Sequence, residues 1–512
     1  SFVSGDHFVI FDPHASHLPG ISPSHPGLKI KFAGKGIALQ FPDQFYPYFL
    51  FGCDLQHNYN GTLFRFPLRN NITAAYSQIK QTAYSPDMVL NLFENFQNIA
   101  SEVLLFLHNV TCINLYFREG MDKDMKMIYR VERDGSHDQS VYKFVSGLKT
   151  QAKDKDDFYR RLQNTPDKML PSDCQLINIT RHEFEKEFSQ RWMVSEYLGG
   201  KHAIEMAAKK ENRTHGFVPW AGVAAKIGEE YEANMDNSLR RADVYGGKCV
   251  SLEGRAFCFL PLPVKTGLPV HVNAYFELSS NRRDIWYGDD MAGGGKLRSE
   301  WNCCLLKEVS SCAYVHLLAK MACELGPYEE YFSLWPTGSP PEPWNILLHN
   351  VYLSAVEMDI PLLYTTARGG LWISPKKAVF PDYSYLQAVE LGHALADAGL
   401  TIINAPKSVV SKFEENCPSL RYMRPQMLRN SLVRRNHALN NRTAMLAALK
   451  YCLSDIEKSE AVEKLEGLPL VPLANGKFGT FSGSRTAEKI FVADEIGFKL
   501  LKDKLLDRIV DP

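Results

Sequence analysis

Gly5-Asp6-His7-Phe8-Val9-Ile10-Phe11-Asp12-Pro13-His14 forms the first apolar run of the chain, and Gly61-Thr62-Leu63-Phe64-Arg65-Phe66-Pro67-Leu68-Arg69 follows after a loop rich in proline, glycine and histidine. Both stretches carry the residue types of strands, and their pairing decides how the remainder is read. Taken alone, Thr62 is an ordinary strand residue, because one threonine hydroxyl makes no pocket. His7, His14, His17 and His25 gather in this region, but their spacing matches no helical or hairpin ligand set, so they read as incidental loop histidines.

The pairing of the two stretches resembles the sacsin repeat family, whose repeats are akin to the ninety-kilodalton heat-shock chaperones of the GHKL ATPase superfamily. In that superfamily a Gly-Thr pair on a late strand lines the adenine pocket, and Gly61-Thr62 stands in the corresponding place. The superfamily also needs an acidic residue on an early helix, an Asp-x-Gly-x-Gly turn beneath the adenine and a Gly-rich lid. None of these precedes Gly61. The chain opens on Ser1 without an initiator methionine and is expected to be a piece of a longer polypeptide, cut shortly after the lid. The resemblance is strong over residues 5–69 and again over 254–286, and diffuse elsewhere.

At 512 residues the chain is too long for one core, and about 150 residues per domain suggests roughly three. Hydrophobic residues make up 45% and charged residues 23%, an ordinary globular balance. With 58 basic and 58 acidic side chains there is no global field to draw in nucleic acid or an anionic membrane. The 11 cysteines include no Cys-x-x-Cys pair and sit mostly in apolar settings, which argues for reduced thiols and a cytoplasmic setting. Six Asn-x-Thr triplets, at Asn60, Asn71, Asn109, Asn178, Asn212 and Asn441, are read as chance. The longest apolar run, near residues 103–107, falls far short of the ~18 residues that suggest a membrane span.

Ser85-Pro86 is a capping residue followed by proline at the first helical position, and Val89, Leu92, Phe93, Phe96, Ile99, Val103 and Leu107 recur behind it at helical spacing. Strands are expected at 112–117 and 127–131, followed by a charged, solvated stretch at 153–161. Residues 257–264 and 270–278 predict a hairpin through Lys265-Thr266-Gly267. Its return strand alternates Val270, Val272, Ala274 and Phe276 with His271, Asn273, Tyr275 and Glu277, leaving one face for solvent or a partner. A long helix is expected over 299–325, with Trp301, Leu305, Val309, Cys312 and Leu317 on its buried stripe. The proline-rich run at 338–343 is the best candidate boundary. Beyond it a helix at 344–355, strands near Leu362 and Leu371, a helix at 383–398 and a strand at 400–404 suggest α/β alternation with some parallel pairing. Residues 467–481 predict a hairpin through Asn475-Gly476.

Arg282 is the first candidate for chemistry. In the chaperones of the family, the second domain sends an arginine into the nucleotide site of the first, and Ser279-Ser280-Asn281-Arg282-Arg283-Asp284-Ile285 resembles that loop. An arginine suits the role because its fixed charge and planar donors neutralise charge developing on phosphoryl oxygens. The chaperone pattern has a glutamine four residues on, where this chain has Trp286. The other reading is a surface arginine paired with Asp284 or Asp289. Gly293-Gly294-Gly295-Lys296 fails the spacing of a Walker loop, and Lys296 is followed by Leu297. Glu390 and His393 have a di-iron spacing without a second copy, and His182-Glu183 begins a zinc-protease pattern in which Lys186 replaces the second histidine. No metal site and no catalytic group results.

The most asymmetric charge block is residues 421–442, where Arg421, Arg424, Arg429, Arg434, Arg435 and Arg442 occur with no acidic residue. Two readings stand side by side: a site for a partner of opposite charge, and pairing within the chain to Glu414-Glu415 or to residues 457–466. Tyr422 is its only aromatic residue, which disfavours single-stranded nucleic acid.

Together these readings predict a mixed α/β multidomain chain. The C-terminal part of a GHKL-type lobe and a connecting helix fill residues 1–110, a region like the chaperone middle domain fills 111–336, and a further α/β region fills 344–512. The resemblance implies a non-catalytic fragment of a chaperone-like repeat in cytoplasmic protein quality control. It would contribute interaction surface and a phosphate-sensing Arg282, with Gly61 and Thr62 as an incomplete nucleotide site. No cofactor is expected in the fragment, and Mg-ATP is expected only for the complete repeat. Expected partners are protein clients, co-chaperones and neighbouring domains, with no nucleic acid and no membrane. The alternative is a scaffold or spacer repeat with no nucleotide function.

Overall fold

The computed structural model describes residues 1–511 apart from 121–122, 135–139, 184–185, 234–251, 289–293, 435–438, 440, 458–463 and 482–488. The chain is mixed α/β and divides into two compact units, Ser1–Ile99 and Ala100–Pro512. Among the described residues no helix is long and apolar enough to cross a membrane.

The first unit is built on an antiparallel sheet of order β3-β2-β1-β4, formed by β1 (Phe2–Gly5), β2 (His7–Phe11), β3 (Gly27–Lys31) and β4 (Tyr59–Phe64). Gly5, at φ 58°, takes the left-handed conformation that folds β1 back onto β2. Strict alternation then sorts the side chains. Val3, Phe8, Ile30 and Leu63 lie in register on the inner face. There they meet α1 (Ile37–Gln40) and α2 (Pro42–Phe49), with Phe45 and Tyr48 edge-on to Phe8 at 5.4 and 5.8 Å. After β4 come α3 (Asn71–Ala75), with its Asn70 and Thr73 capping box, and α4 (Pro86–Val103), started by Ser85 Oγ accepting from the Met88 amide. Of the stripe expected on α4, Val103 is buried, Leu92 and Phe93 are exposed, and Leu107 lies beyond the helix end.

The second unit carries an eight-stranded sheet of order β11-β10-β12-β9-β8-β7-β6-β5. Its strands are β5 (Cys112–Phe117), β6 (Lys126–Arg133), β7 (Ser172–Glu183), β8 (Lys186–Leu198), β9 (Trp220–Ala233), β10 (Arg255–Cys258), β11 (Leu260–Lys265) and β12 (His271–Ala274). Helices α5 (Ser140–Gln151) and α6 (Lys155–Asn164) follow β6, α7 (Lys201–Ala208) follows β8, and the charged stretch at 153–161 falls mostly on α6. The helix expected at 299–325 starts earlier, as α8 (Gly294–Cys304), and continues through a π-helical turn at Leu305–Ser310 into α9 (Ser311–Leu325). It packs with α10 (Glu329–Phe332) and α11 (Trp344–Glu357) against the face of the sheet that carries Met193, Val223, Ala225 and Val272. Trp335 and Trp344 lie in this one core, which runs through residues on both sides of the proline-rich 338–343 run.

The opposite sheet face is also covered. Residues 100–108 lie on it as a strap: Phe106 packs edge-on to Phe257 at 5.1 Å, and Arg133 Nη1 donates to the Leu104 and Leu107 carbonyls at 3.0 and 2.8 Å.

The expected hairpin at 257–264 and 270–278 is not formed. Phe259, at φ 62°, breaks the first strand, so β11 folds back on β10 and becomes the sheet's outer strand, while β12 pairs with β10 in parallel and with β9 antiparallel. The polar face, expected to be left for solvent or a partner, is buried at His271 and Asn273 and half-buried at Tyr275 and Glu277. His271 Nδ1 accepts from the Arg255 amide at 3.0 Å, and Asn273 Oδ1 accepts from the Phe259 amide at 2.8 Å. Strand alternation was read correctly; that both faces would be covered was not in the local pattern.

Toward the C-terminus, β13 (Leu363–Thr365) and β14 (Leu371–Ile373) pair antiparallel, not parallel. Residues 400–404 form only a single parallel bridge, Ile402 to Val379, and α12 (Ala388–Asp397) is shorter than the helix expected at 383–398. A smaller core joins α12 to α14 (Pro425–Val433) and α15 (Arg442–Leu453), with α13 (Lys407–Asn416) in the larger core. The expected hairpin at 467–481 is present as β15 (Val471–Pro472) and β16 (Phe478–Gly479) around Gly476.

Candidate functional site

Gly61 and Thr62 lie on β4 and are exposed. Register places Thr62 beside Ser4, and their hydroxyls are 2.9 Å apart on the outer face of the sheet. The same face carries Phe2, Phe11, Phe64 and, just past β4, Phe66. Phe2 lies 6.1 Å from Phe11 and 5.2 Å from Phe64, and the Phe64 and Phe66 rings stack at 6.0 Å. Phe11, Phe64 and Phe66 are 54%, 58% and 78% exposed, which makes a contiguous aromatic strip on the surface.

Arg282 belongs to the second unit and tips a tight turn between Leu278 and Ile285, which bridge to each other. The turn is held by Ser279, whose amide donates to the Asp284 carbonyl at 2.8 Å and whose carbonyl accepts from the Arg282 amide at 2.8 Å. Arg282 itself adopts φ 55°, an uncommon conformation for a residue with a side chain. Buried Asn302 on α8 braces the stem, donating to the Glu277 and Trp286 carbonyls and accepting from the Glu277 amide. Asp284 Oδ1 accepts from the Ile285 amide, and among the described residues Arg282 makes no ion pair; Asp289 lies outside them. Trp286, in the glutamine position of the chaperone pattern, lies under Arg298 at 5.8 Å.

The arginine block is mostly committed within the chain. Arg424 pairs with Glu414 at 2.7 Å, as one reading expected. Arg429 is 1% exposed and makes a bidentate pair with Asp455, at 2.5 and 3.1 Å, with further bonds to the Cys452 carbonyl and Gln426. Arg442 pairs with Asp511 and lies over Phe478. Arg421 and Arg434 are exposed, and Arg435 lies outside the described residues. Gly293 also lies outside them, while Gly294 to Lys296 form the first turn of α8. His182 and Glu183 sit on β7, not on a helix. Among the described residues no group of three or more histidine, cysteine or acidic side chains is placed to hold a metal ion.

Sequence reasoning missed the polar cluster beneath the strap. Glu196, on β8, is 1% exposed and has His108 Nε2 3.8 Å from its carboxylate. Burial, reinforced by Asp173 directly opposite on β7 and partly offset by Arg133, pushes its carboxyl up to about 8. His271 Nε2 faces Glu102 at 3.6 Å, and burial, with Arg255 and Lys226 nearby, pulls its imidazole down to about 3. These groups lie far apart in sequence. The one available signal was a glutamate inside the apolar run Trp192-Met193-Val194-Ser195-Glu196.

The cluster makes stability depend on pH. Folded Glu196 keeps a proton that the unfolded chain releases near 4.5, so its contribution is complete at low pH and is lost as pH rises toward about 8. His271 acts in the other direction, losing stability as pH falls below its ordinary 6.5, so the two slopes oppose between 4.5 and 6.5. Above that window Glu196 should impose a decline approaching about 1.4 kcal/mol per pH unit. Melting Glu196→Gln across pH 6.5 to 8 should give a flatter profile than the parent; an unchanged slope would reject this assignment.

The fold and these sites describe a mixed α/β chain whose first unit and following strands match a described family. Residues 1–130 match the family described as the Sacsin domain. Over 94% of its length the chain is 28% identical to sacsin of Homo sapiens, of which it spans 10%. The chain is thus similar to the Sacsin domain over residues 1–130 and to one tenth of the length of human sacsin.

Proposed function

We propose that this chain is a non-catalytic part of a chaperone-like sacsin repeat, acting in cytoplasmic protein quality control by offering surface to protein clients or co-chaperones. The observation that carries this reading is the exposed aromatic strip of Phe11, Phe64 and Phe66 on the first unit. Exposed contiguous apolar surface is costly in water and marks places where other apolar groups are received. The test is light scattering from a heat-unfolding reporter protein mixed with this chain. The chain should suppress aggregation, and Phe64→Ser with Phe66→Ser should remove roughly half or more of that suppression, since contiguous apolar area holds the client. Equal suppression by parent and variant would refute the reading.

Within the same reading, Arg282 senses phosphate on behalf of a GHKL-type ATPase lobe, in which Gly61 and Thr62 are part of the adenine wall. Its exposure, its braced turn and its freedom from carboxylates among the described residues support that role. The alternative, a spacer repeat without nucleotide function, is favoured by Trp286, which is engaged with Arg298. Thermal melts with and without Mg-ATP of a longer chain that carries the complete repeat separate the two, because a ligand bound only by the folded state raises the midpoint by mass action. A rise that Arg282→Ala diminishes supports phosphate sensing. No rise supports the spacer.

A further inference from the structure

Five described arginines of the 421–442 block fall into two groups. Arg424, Arg429 and Arg442 each pair with a carboxylate of the chain. Arg421 and Arg434 pair with none among the described residues, and both are exposed. They line one open cleft with Gln426 and Asn430 of α14, above Leu400 and Met427.

The polar groups of this cleft are biased toward donors. Gln426 is committed on both sides, its Oε1 accepting from Arg429 and its Nε2 donating to Asn430 Oδ1 at 3.1 Å. Asn430 is thereby left with its Nδ2 hydrogens, and the two guanidinium groups add only donors. Among the described residues no acidic side chain lines the cleft. The floor is apolar, which a free phosphate cannot use and an aliphatic side chain can. Nucleic acid fits poorly, because Tyr422, the one aromatic residue of the block, is turned inward, donating to the Cys417 carbonyl at 3.0 Å and packing on Phe380 at 5.1 Å. Arg434 caps the C-terminal end of α14, while Arg421 comes from the segment that bridges to Phe380 ahead of the helix, so the two guanidinium groups reach the cleft from separate stretches of chain.

We propose that the cleft lined by Arg421 and Arg434 is a docking site for an acidic peptide segment whose carboxylates flank an aliphatic side chain. Planar carboxylates suit the guanidinium fork better than point-like anions do. This site is independent of the aromatic strip and stands whether or not the chain handles unfolded clients.

Fluorescence polarisation with a labelled Glu-Glu-Leu-Leu-Glu-Glu peptide tests it on the full chain. Binding should weaken with salt, and the Gln-Gln-Leu-Leu-Gln-Gln peptide should fail to bind. Arg421→Ala with Arg434→Ala should weaken binding roughly tenfold or more, as expected for two charge-assisted contacts, while Arg424→Ala should cost less than about threefold. Melting curves of the variants, whose substituted side chains are exposed, should match the parent. Three outcomes would overturn the proposal: no binding of the acidic peptide, equal binding by the double variant, or displacement of the peptide by inorganic phosphate or a single-stranded oligonucleotide at lower concentration than by unlabelled peptide.

Discussion

Alanine at Gly254 is expected to destabilise the second unit by about 3 kcal/mol or more, the upper end of what overpacking costs. The backbone here is laced on both sides: the Gly254 amide donates to the Leu268 carbonyl at 2.9 Å, and the Thr266 amide donates to the Gly254 carbonyl at 2.8 Å. A Cβ would overlap the carbonyl oxygens of Val270 and Leu268 and come within 2.7 Å of Thr266 Oγ1. Leu268 and Val270 are buried in the bend between β11 and β12, and their carbonyls cannot swing aside as a long side chain can. The same change at Gly147 on α5, where a Cβ meets open space, should be neutral or slightly stabilising, because alanine favours helix. Denaturant unfolding followed by circular dichroism measures both, and a loss below about 1 kcal/mol for Gly254→Ala would refute the steric argument.

Removing Asp455 is expected to cost about 3–5 kcal/mol, because it strands the buried Arg429 charge. Arg429 has a side chain 2% exposed and Asp455 one 40% exposed, so the two halves of the pair are not equivalent. Asp455→Ala leaves a guanidinium among Leu428, Leu432 and Cys452 with only Gln426 and a carbonyl for partners. Arg429→Met removes the buried charge along with its need for a partner and leaves a half-exposed carboxylate that water can solvate. The methionine variant should therefore melt well above the Asp455 variant. The reverse order would mean that the pair is held by its packing and not by its charge.

Elements with local signals were legible in the sequence. The Ser85-Pro86 start of α4, the apolar periodicity of α9 and α11 and the Asn475-Gly476 turn all place structure where it is found. The failures have one physical origin, which is that long-range covering leaves little local trace. Nothing around Phe259 announces a left-handed residue, yet that single conformation exchanges a hairpin for a parallel pair. Alternation in β12 reads as half-exposed, because the strap that buries His271 and Asn273 comes from residues 100–108. The arginine block was legible as charge and only in part as partners: Glu414, near in sequence, was among those named, whereas Asp511 lies 69 residues from Arg442. Gly61, Thr62 and Arg282 were visible through the family resemblance, and their surroundings only through the fold.

The reversal at Phe259 has one more effect, at the rim of the eight-stranded sheet. A terminal strand with unpaired amides and carbonyls is a template on which another chain can add itself, the first step of fibril-like growth. Because β11 has folded back to become that rim, it brings Pro261 and Pro263 there. Two prolines at alternate positions take two donors from the same side of the strand and stiffen it against flat pairing. The second unit thus closes one end of its sheet to intermolecular strand addition with its own backbone, an asset in any protein working among unfolded chains.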